Sequence, residues 1–363
     1  DEYFAVISGG SNGYNYKVDH NSVTETYGSA PTDYATDVLG QKVAAFVNAS
    51  QTTSPNSPFF AYVAPFAPHF PYTPGPQDVG AYSDIPASRP PNFNIPEAGG
   101  YPIDDPAYIE SIDEGRQRAL ESLLAIDRMV VNLRADLQAR GILDNTVFVF
   151  MSDNGILRGE HAINDKRVFY EEVIRLPLIV WDGRQQTAGN TAVSTSDAIV
   201  LTADLAPTLA SLGGVNVPSG LDGKNLVPLL NTPGQTVRQD FLIHHWIVDG
   251  SAMTSVEELG VRNDTWKYVT RSEGGPFLFN IVNDPYELNN LANNAAYASV
   301  QSAMALRLSQ LRPADQTAPV ATNISLLASP PAVDGSRSLR IQATVTDVGL
   351  GNSQIRTPEL IFN

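Results

Sequence analysis

An apolar run that ends abruptly in a polar loop is the feature that most limits how this chain can fold. Val147-Phe148-Val149-Phe150-Met151 stops at Ser152-Asp153-Asn154-Gly155, and Phe59-Phe60-Ala61-Tyr62-Val63 leads through Ala64-Pro65-Phe66 into Ala67-Pro68-His69-Phe70-Pro71. Short continuous apolar runs bounded by turn residues read as strands buried on both faces, as in open parallel sheets covered by helices. Ligands of such sheets sit beyond the carboxyl ends of the strands. The pattern therefore predicts one strand at 59–63, another at 147–151, and a crevice shared by His69, Asp153 and Asn154, with Lys166 close behind. That set suits a hard cation beside an oxyanion.

Helical periodicity fills the intervals. Residues 33–47 carry Val38, Leu39, Val43 and Phe46 at helical spacing. A Pro-, Gly- and Asn-rich loop covers about 71–102, long enough to be a functional excursion. Asp105-Pro106 then places a capping acid before a proline at the first helical position. Leu123, Ile126, Val130, Leu133 and Leu137 continue as a helix that ends near Gly141. Leu176 to Trp181 reads as a strand and Leu201 to Leu212 as a helix, so strand and helix alternate as in an α/β sheet.

From about Asp240 the pattern changes. Val261 to Val269 and Pro276 to Asn280 read as short antiparallel strands, and about 294–311 as a closing helix. Pro313 to Pro319 reads as a linker. Beyond it, Leu339, Ile341, Ala343 and Val345 alternate as a strand leading to a turn at Asp347 to Gly351. The expected division is 1–238, an α/β core; 239–312, a small antiparallel sheet with a helix; and 313–363, a linker and the start of an immunoglobulin-like β domain. Residues 1–57 give few signals besides their helix.

Composition restricts the partners. The formal net charge is -16, from 23 basic and 39 acidic residues, which argues against nucleic acid or an anionic membrane as a partner. The absence of cysteine excludes disulfides and thiolate metal sites. No apolar run approaches the roughly 20 residues needed to span a bilayer. The chain begins at Asp1 with neither an initiator Met nor a signal peptide, which points to processing or truncation. Sequons at Asn48, Asn263 and Asn323 fit a secreted, periplasmic or cell-surface protein.

Taken alone, Ser152-Asp153-Asn154-Gly155 is good turn sequence, and its two side-chain oxygens are also hard-cation ligands. The wider pattern is more specific. Ser152-Asp153-Asn154-Gly155-Ile156-Leu157-Arg158-Gly159-Glu160-His161, running on through Lys166 to Tyr170-Glu171-Glu172-Val173-Ile174-Arg175-Leu176-Pro177, resembles the sulfatase family. Ala67-Pro68-His69-Phe70-Pro71 matches as well. So do Asp204-Leu205-Ala206-Pro207-Thr208-Leu209 with Gly220-Leu221-Asp222-Gly223-Lys224, and Asn283-Asp284-Pro285-Tyr286-Glu287-Leu288-Asn289-Asn290-Leu291. These motifs follow the family's order over roughly residues 58 to 292, as in the carboxy-terminal portion of a sulfatase.

The resemblance implies an alkaline-phosphatase-like sheet flanked by helices, incomplete at its amino-terminal side, and hydrolysis of sulfate esters, of carbohydrates above all. It implies that Asp153 and Asn154 are calcium ligands, that Lys166 binds a sulfate oxygen and the bridging oxygen or nucleophile, and that His69 binds the sulfate and protonates the leaving group. His161 and His245 join the implied substrate-binding set, His161 also as a residue that orients its loop, and His245 within a His244-His245-Trp246 cluster near the substrate entrance. The family's formylglycine nucleophile arises in a Cys/Ser-x-Pro-x-Arg motif that this sequence lacks, and its paired aspartates on an early strand are lacking too. The implied partners are therefore a sulfated small molecule or glycan and the amino-terminal sulfatase segment. Two other readings stay open: a phosphodiesterase or phosphonate hydrolase of the same superfamily, and a non-catalytic surface protein that reuses the scaffold.

Overall fold

The computed structural model describes residues 2–55, 57–187, 194–245, 257–272, 274–311, 320–328, 339–346 and 359–362. It opens with an antiparallel meander, β1 (Phe4–Ser8), β2 (Tyr16–His20) and β3 (Val23–Tyr27). The β2–β3 hairpin turns on Asn21 and Ser22, both at positive φ (51° and 70°), as a tight two-residue connection requires. Sequence reading missed this meander. The alternation in Tyr16-Lys17-Val18-Asp19-His20 was its only signal, because Asn-Ser announces such a turn less clearly than Asn-Gly.

Helix α1 (Ala35–Thr53) packs on helix α2 (Pro106–Ala139). Asp105 caps α2 by accepting a hydrogen bond from the Ala107 N–H at 2.9 Å, and Pro106 follows at the first helical position. Residues 59–66 run along these helices without pairing as a strand, which corrects the expected strand at 59–63. Phe59 packs on Phe46, and Val63 joins the cluster around Ile126 and Met129. Phe60 and Tyr62 point outward, 67% and 86% exposed. An apolar run forms a strand only if another strand supplies hydrogen bonds, and none among the described residues does so here.

Strand β4 (Val147–Met151) forms where predicted, but its neighbour β5 (Leu178–Asp182) runs antiparallel, with Val149 opposite Val180. The parallel expectation fails because the chain between them folds back on itself instead of crossing over. Gly155 N donates to Val173 O at 2.9 Å, drawing the loop's two ends together. A Cβ on Gly155 would lie 1.9 Å from Glu172 O, so this closure admits only glycine.

Short helices follow: α3 (Glu171–Ile174), α4 (Gly183–Thr187), α5 (Leu205–Leu212) and α6 (Val227–Asn231). Asp204, fully buried, anchors this stretch by gripping Arg238 and accepting hydrogen bonds from the Leu201 and Lys224 N–H groups.

A four-stranded antiparallel sheet comes next, β6 (Asp240–His245), β7 (Glu258–Asn263), β8 (Trp266–Arg271) and β9 (Phe277–Asn280), covered by α7 (Ala298–Leu311). Strand alternation gives this sheet two buried faces. Leu259, Val261, Tyr268 and Leu278 meet Met304 and Leu308 of α7. Val269, Phe277 and Phe279 face the other way, against Leu157, Phe169, Tyr170 and Val173, directly beneath the loop that follows β4. Strands β10 (Val320–Ala328), β11 (Leu339–Thr346) and β12 (Glu359–Phe362) pair antiparallel in sequence order. The expected linker at 313–319 and the turn at 347–351 lie outside the described residues.

Candidate active site

At the end of β4 the polar residues emerge together. Asp153 is exposed, and its Oδ1 accepts a hydrogen bond from the Asn154 N–H at 2.9 Å. Lys166 Nζ donates to Asn154 Oδ1 at 3.1 Å, so residues twelve positions apart meet at one point. A hairpin-like return brings this about: Leu157 N donates to Asp165 O at 2.9 Å, and Gly159 N to Ile163 O at 2.8 Å. Asp165 holds the exit by accepting from the Lys166 N–H at 2.6 Å and by pairing with Arg167.

His69 sits in a tight turn flanked by cis Ala67–Pro68 and cis Phe70–Pro71 bonds. Its ring is exposed, and Nδ1 lies 2.8 Å from Phe70 O. A carbonyl oxygen can only accept, so Nδ1 carries the proton in this bond. Tyr72 N donates to His69 O at 2.9 Å, and the Tyr72 ring lies under the Arg158 guanidinium, 4.5 Å from its centroid. The turn that carries His69 is thereby docked on the loop that carries Asn154 and Lys166. His69 also lines a small cleft with Ser11, Gly13, Thr36 and Thr73, next to the glycine-rich turn after β1.

His161 lies in a different setting from an open substrate pocket. It is 4% exposed, stacks on Tyr170 with ring centroids 3.7 Å apart, and its Nε2 lies 3.1 Å from Asn92 Nδ2. An amide nitrogen donates, so Nε2 is the accepting, unprotonated atom. Burial lowers its pKa to about 4, so the ring is neutral at physiological pH. Below the unfolded value near 6.5 only the unfolded chain takes up this proton, so the group destabilises the fold progressively as pH falls from about 6.5 to about 4. The loss reaches on the order of 3 kcal/mol. His161→Gln is expected to flatten this part of a urea-melt pH series; an unchanged acid limb would show that His161 does not cause it. His245 closes β6 opposite Glu258, half-buried, with Nδ1 buried and unpartnered. Its expected neighbour Trp246 lies outside the described residues.

Sequence reading passed over Asn92, which is fully buried at the end of the 71–102 excursion. Its side-chain amide nitrogen reaches His161 Nε2 and Glu172 Oε1 (2.7 Å), and its carbonyl accepts from the His161 N–H at 2.8 Å. Phe93 bridges to Glu160, and Asn94 N donates to Gly159 O at 2.7 Å. Gly159 turns there at a φ of 97°, with the Phe93 ring where a Cβ would stand. The excursion itself is tied to α2 by Glu121, which accepts from the Gly80 and Tyr82 N–H groups, and by the Arg128–Asp78 ion pair. A buried asparagine in a loop 60 or so residues upstream, by rough count, leaves no local periodicity to detect.

Calcium takes about 6–8 oxygen ligands. Asp153 and Asn154 supply two side-chain carboxamide or carboxylate groups, and the Asn154 oxygen already accepts from Lys166. Among the described residues no group of three or more His, Cys, Asp or Glu side chains could hold a metal ion. The donors described here do not complete a calcium shell.

The end of β4 thus joins a lysine to a carboxamide, and the turn that carries His69 rests on the same loop through Tyr72 and Arg158. The family model described as "Sulfatase" matches residues 3–215, and the one described as "N-sulphoglucosamine sulphohydrolase, C-terminal" matches residues 159–314. The chain belongs to the sulfatase family. It is 34% identical to N-acetylglucosamine-6-O-sulfatase of Bacteroides thetaiotaomicron, over 50% of this chain and 33% of that protein. It is 31% identical to human N-acetylglucosamine-6-sulfatase, over 67% of this chain and 45% of that one. The chain thus spans a third to just under half the length of these relatives. A solved structure bound to its substrate D-glucosamine-2-N,6-O-disulfate shares the fold, with a TM-score of 0.72 at 22% identity, covering 85% of this chain and 75% of that one. The phosphonate monoester hydrolase of Agrobacterium radiobacter shares it too, with a TM-score of 0.64 at 22% identity over 79% and 62% of the two chains. Both likenesses concern the fold, which is the alkaline-phosphatase-like α/β class. The immunoglobulin-like character expected of the tail stays an expectation.

Proposed function

We propose that this chain is the carboxy-terminal part of a secreted or cell-surface sulfatase that hydrolyses sulfate esters of amino-sugar glycans. The observation that carries the reading is the 3.1 Å bond from Lys166 Nζ to Asn154 Oδ1, which holds an ammonium at the end of β4. The relatives named above support the amino-sugar class. Sulfate ester cleavage breaks the bond between sulfur and the bridging oxygen, and negative charge grows on that oxygen and on the sulfate. The Lys166 ammonium is placed to lower the energy of the sulfate oxygens in that state. His69, protonated on both nitrogens, anchors Nδ1–H on Phe70 O and offers Nε2–H to the departing alkoxide.

Asp153 and Asn154 would form part of a calcium shell, with the remaining oxygens and the nucleophile coming from an amino-terminal sulfatase segment. Calcium would supply charge neutralisation at the sulfate. No membrane-crossing helix occurs among the described residues. The test is turnover by full-length protein of matched sulfate, phosphate and phosphonate monoesters. Preference for the sulfate ester, at least about tenfold in kcat/KM, is expected, a difference worth about 1.4 kcal/mol. Equal or greater turnover of the phosphorus esters would replace this reading with the hydrolase alternative, and no turnover of any would favour the scaffold alternative.

A further inference from the structure

Arg158 lies on the loop between Asn154 and Lys166, and in the site described above only its stacking on Tyr72 is used. Its backbone is fixed on both sides by the hydrogen bonds that close the return, from Leu157 N to Asp165 O and from Gly159 N to Ile163 O. Its guanidinium lies over the Tyr72 ring, 4.5 Å from the centroid, part-buried and beside α2 near Gly115. Among the described residues the guanidinium makes no hydrogen bond or ion pair. The nearest acid in sequence, Glu160, spends its carboxylate on the Arg158 backbone N–H.

This is unusual for its surroundings. The chain carries 39 acidic against 23 basic residues. Arg89, Arg128, Arg238 and Arg271 each grip a carboxylate. A guanidinium orients its planar fork for bidentate recognition of an oxyanion, and stacking on an aromatic ring leaves that fork free at its edge. Opposite Arg158 on the return, Asn164 Nδ2 reaches the Tyr108 hydroxyl at 3.3 Å, and Tyr108 is 42% exposed. The loop that carries Lys166 thus presents a cationic fork, and through Asn164 it touches the half-exposed Tyr108 ring of α2. A sugar ring packs on such an aromatic face, and a second anionic substituent would meet the fork.

We propose that Arg158 is a specificity-determining residue that binds a second sulfate group on the glycan substrate, distinct from the sulfate being hydrolysed. The proposal rests on the sulfatase reading and narrows its substrate class to multiply sulfated amino sugars. The ring of Tyr72 holds the guanidinium in place, and that ring is carried by the same turn as His69, so the fork keeps a fixed offset from the reacting centre.

The test uses full-length protein and two probes that differ by one group: glucosamine 6-sulfate, and glucosamine sulfated at both N2 and O6. Arg158→Met, which keeps a linear side chain over Tyr72 but loses the fork, is expected to raise KM for the disulfate about tenfold or more. KM for the monosulfate should change less than about twofold, and kcat for both should hold. Arg158→Lys should recover part of the loss. A parallel loss on both probes, or no loss on either, overturns the proposal. If the wild type turns over neither sugar, the sulfatase reading fails separately, and calorimetric titration of the disulfate still reads Arg158. Tenfold tighter binding by wild type than by Arg158→Met supports the role; equal binding, or none, refutes it. A thermal melt within a few degrees of wild type confirms that the variant folds.

Discussion

Lys166→Ala, introduced into the full-length enzyme, is expected to cut kcat for sulfate ester hydrolysis by about a hundred- to a thousandfold. The side chain is neither a packing element nor part of the core. Among the described residues its side chain makes one hydrogen bond, from Nζ to Asn154 Oδ1 at 3.1 Å, on a loop already closed by backbone hydrogen bonds. Removing it therefore leaves the fold standing but withdraws a fixed positive charge from the place where charge builds up as the S–O bond breaks. Unchanged thermal stability with a collapsed kcat is the expected pattern. A variant that loses less than about tenfold in kcat would show that Lys166 is not at the reacting sulfate. Lys166→Arg should recover little, because a planar fork does not occupy the position of a compact ammonium.

Lys267→Met is expected to cost about 3–5 kcal/mol of stability. The Lys267 side chain is fully buried; Nζ pairs with Glu287 at 2.6 Å and Glu171 at 3.2 Å, and donates to Phe169 O at 2.8 Å. It lies on the face of β8 turned toward the site loop, in register with Arg262 of β7, which also reaches Glu171. Taking away the cation leaves the buried Glu287 carboxylate without its ion partner, and Glu171 with Arg262 alone, in a low-dielectric layer between the small sheet and the loop.

The cost should depend on pH, with a definite sign. Burial pushes the Glu287 pKa up to about 7, against Lys267, which acts to lower it. Between the unfolded value near 4.5 and about 7, the folded chain holds a proton that the unfolded chain has released, so this group makes wild-type stability fall as pH rises through that window. Losing Lys267 deepens the penalty on the ionised form. The variant should therefore be hurt more at pH 8 than at pH 5, which urea melts at the two values will show. A cost below about 1 kcal/mol, or one that is the same at both, would mean that the layer admits water and screens the pair.

Much of the fold was legible without coordinates, for physical reasons that differ by element. Helix α2 announced itself through Asp105-Pro106 and the Leu123–Leu137 spacing, because a cap and a 3.6-residue stripe are local properties. Strand β4 followed from five consecutive apolar residues, and the β7 to β9 strands from alternation across two buried faces. The Asp153–Asn154–Lys166 grouping was legible because a single loop carries it, so sequence neighbours are also space neighbours.

Other features were not. The β1 to β3 meander is short, and half its side chains are polar, so its alternation is faint. The 59–63 run looks like a strand by every local criterion, yet whether it pairs depends on other strands. His161 and His245 were drawn toward substrate by the motif, and burial of His161 against Tyr170 and Asn92 could be seen only once the chain was folded.

The sequence by itself determined which residues sit at the end of β4 and where α1 and α2 run, because periodicity, capping and turn chemistry act over a few residues. Tertiary structure alone decided that β5 returns antiparallel, that Asn92 locks a loop dozens of residues away, and that Lys267 and Glu287 share one buried pair. Those outcomes depend on which distant surfaces meet as water is excluded. Burial then sets both the strength of a charge and the pH at which it changes.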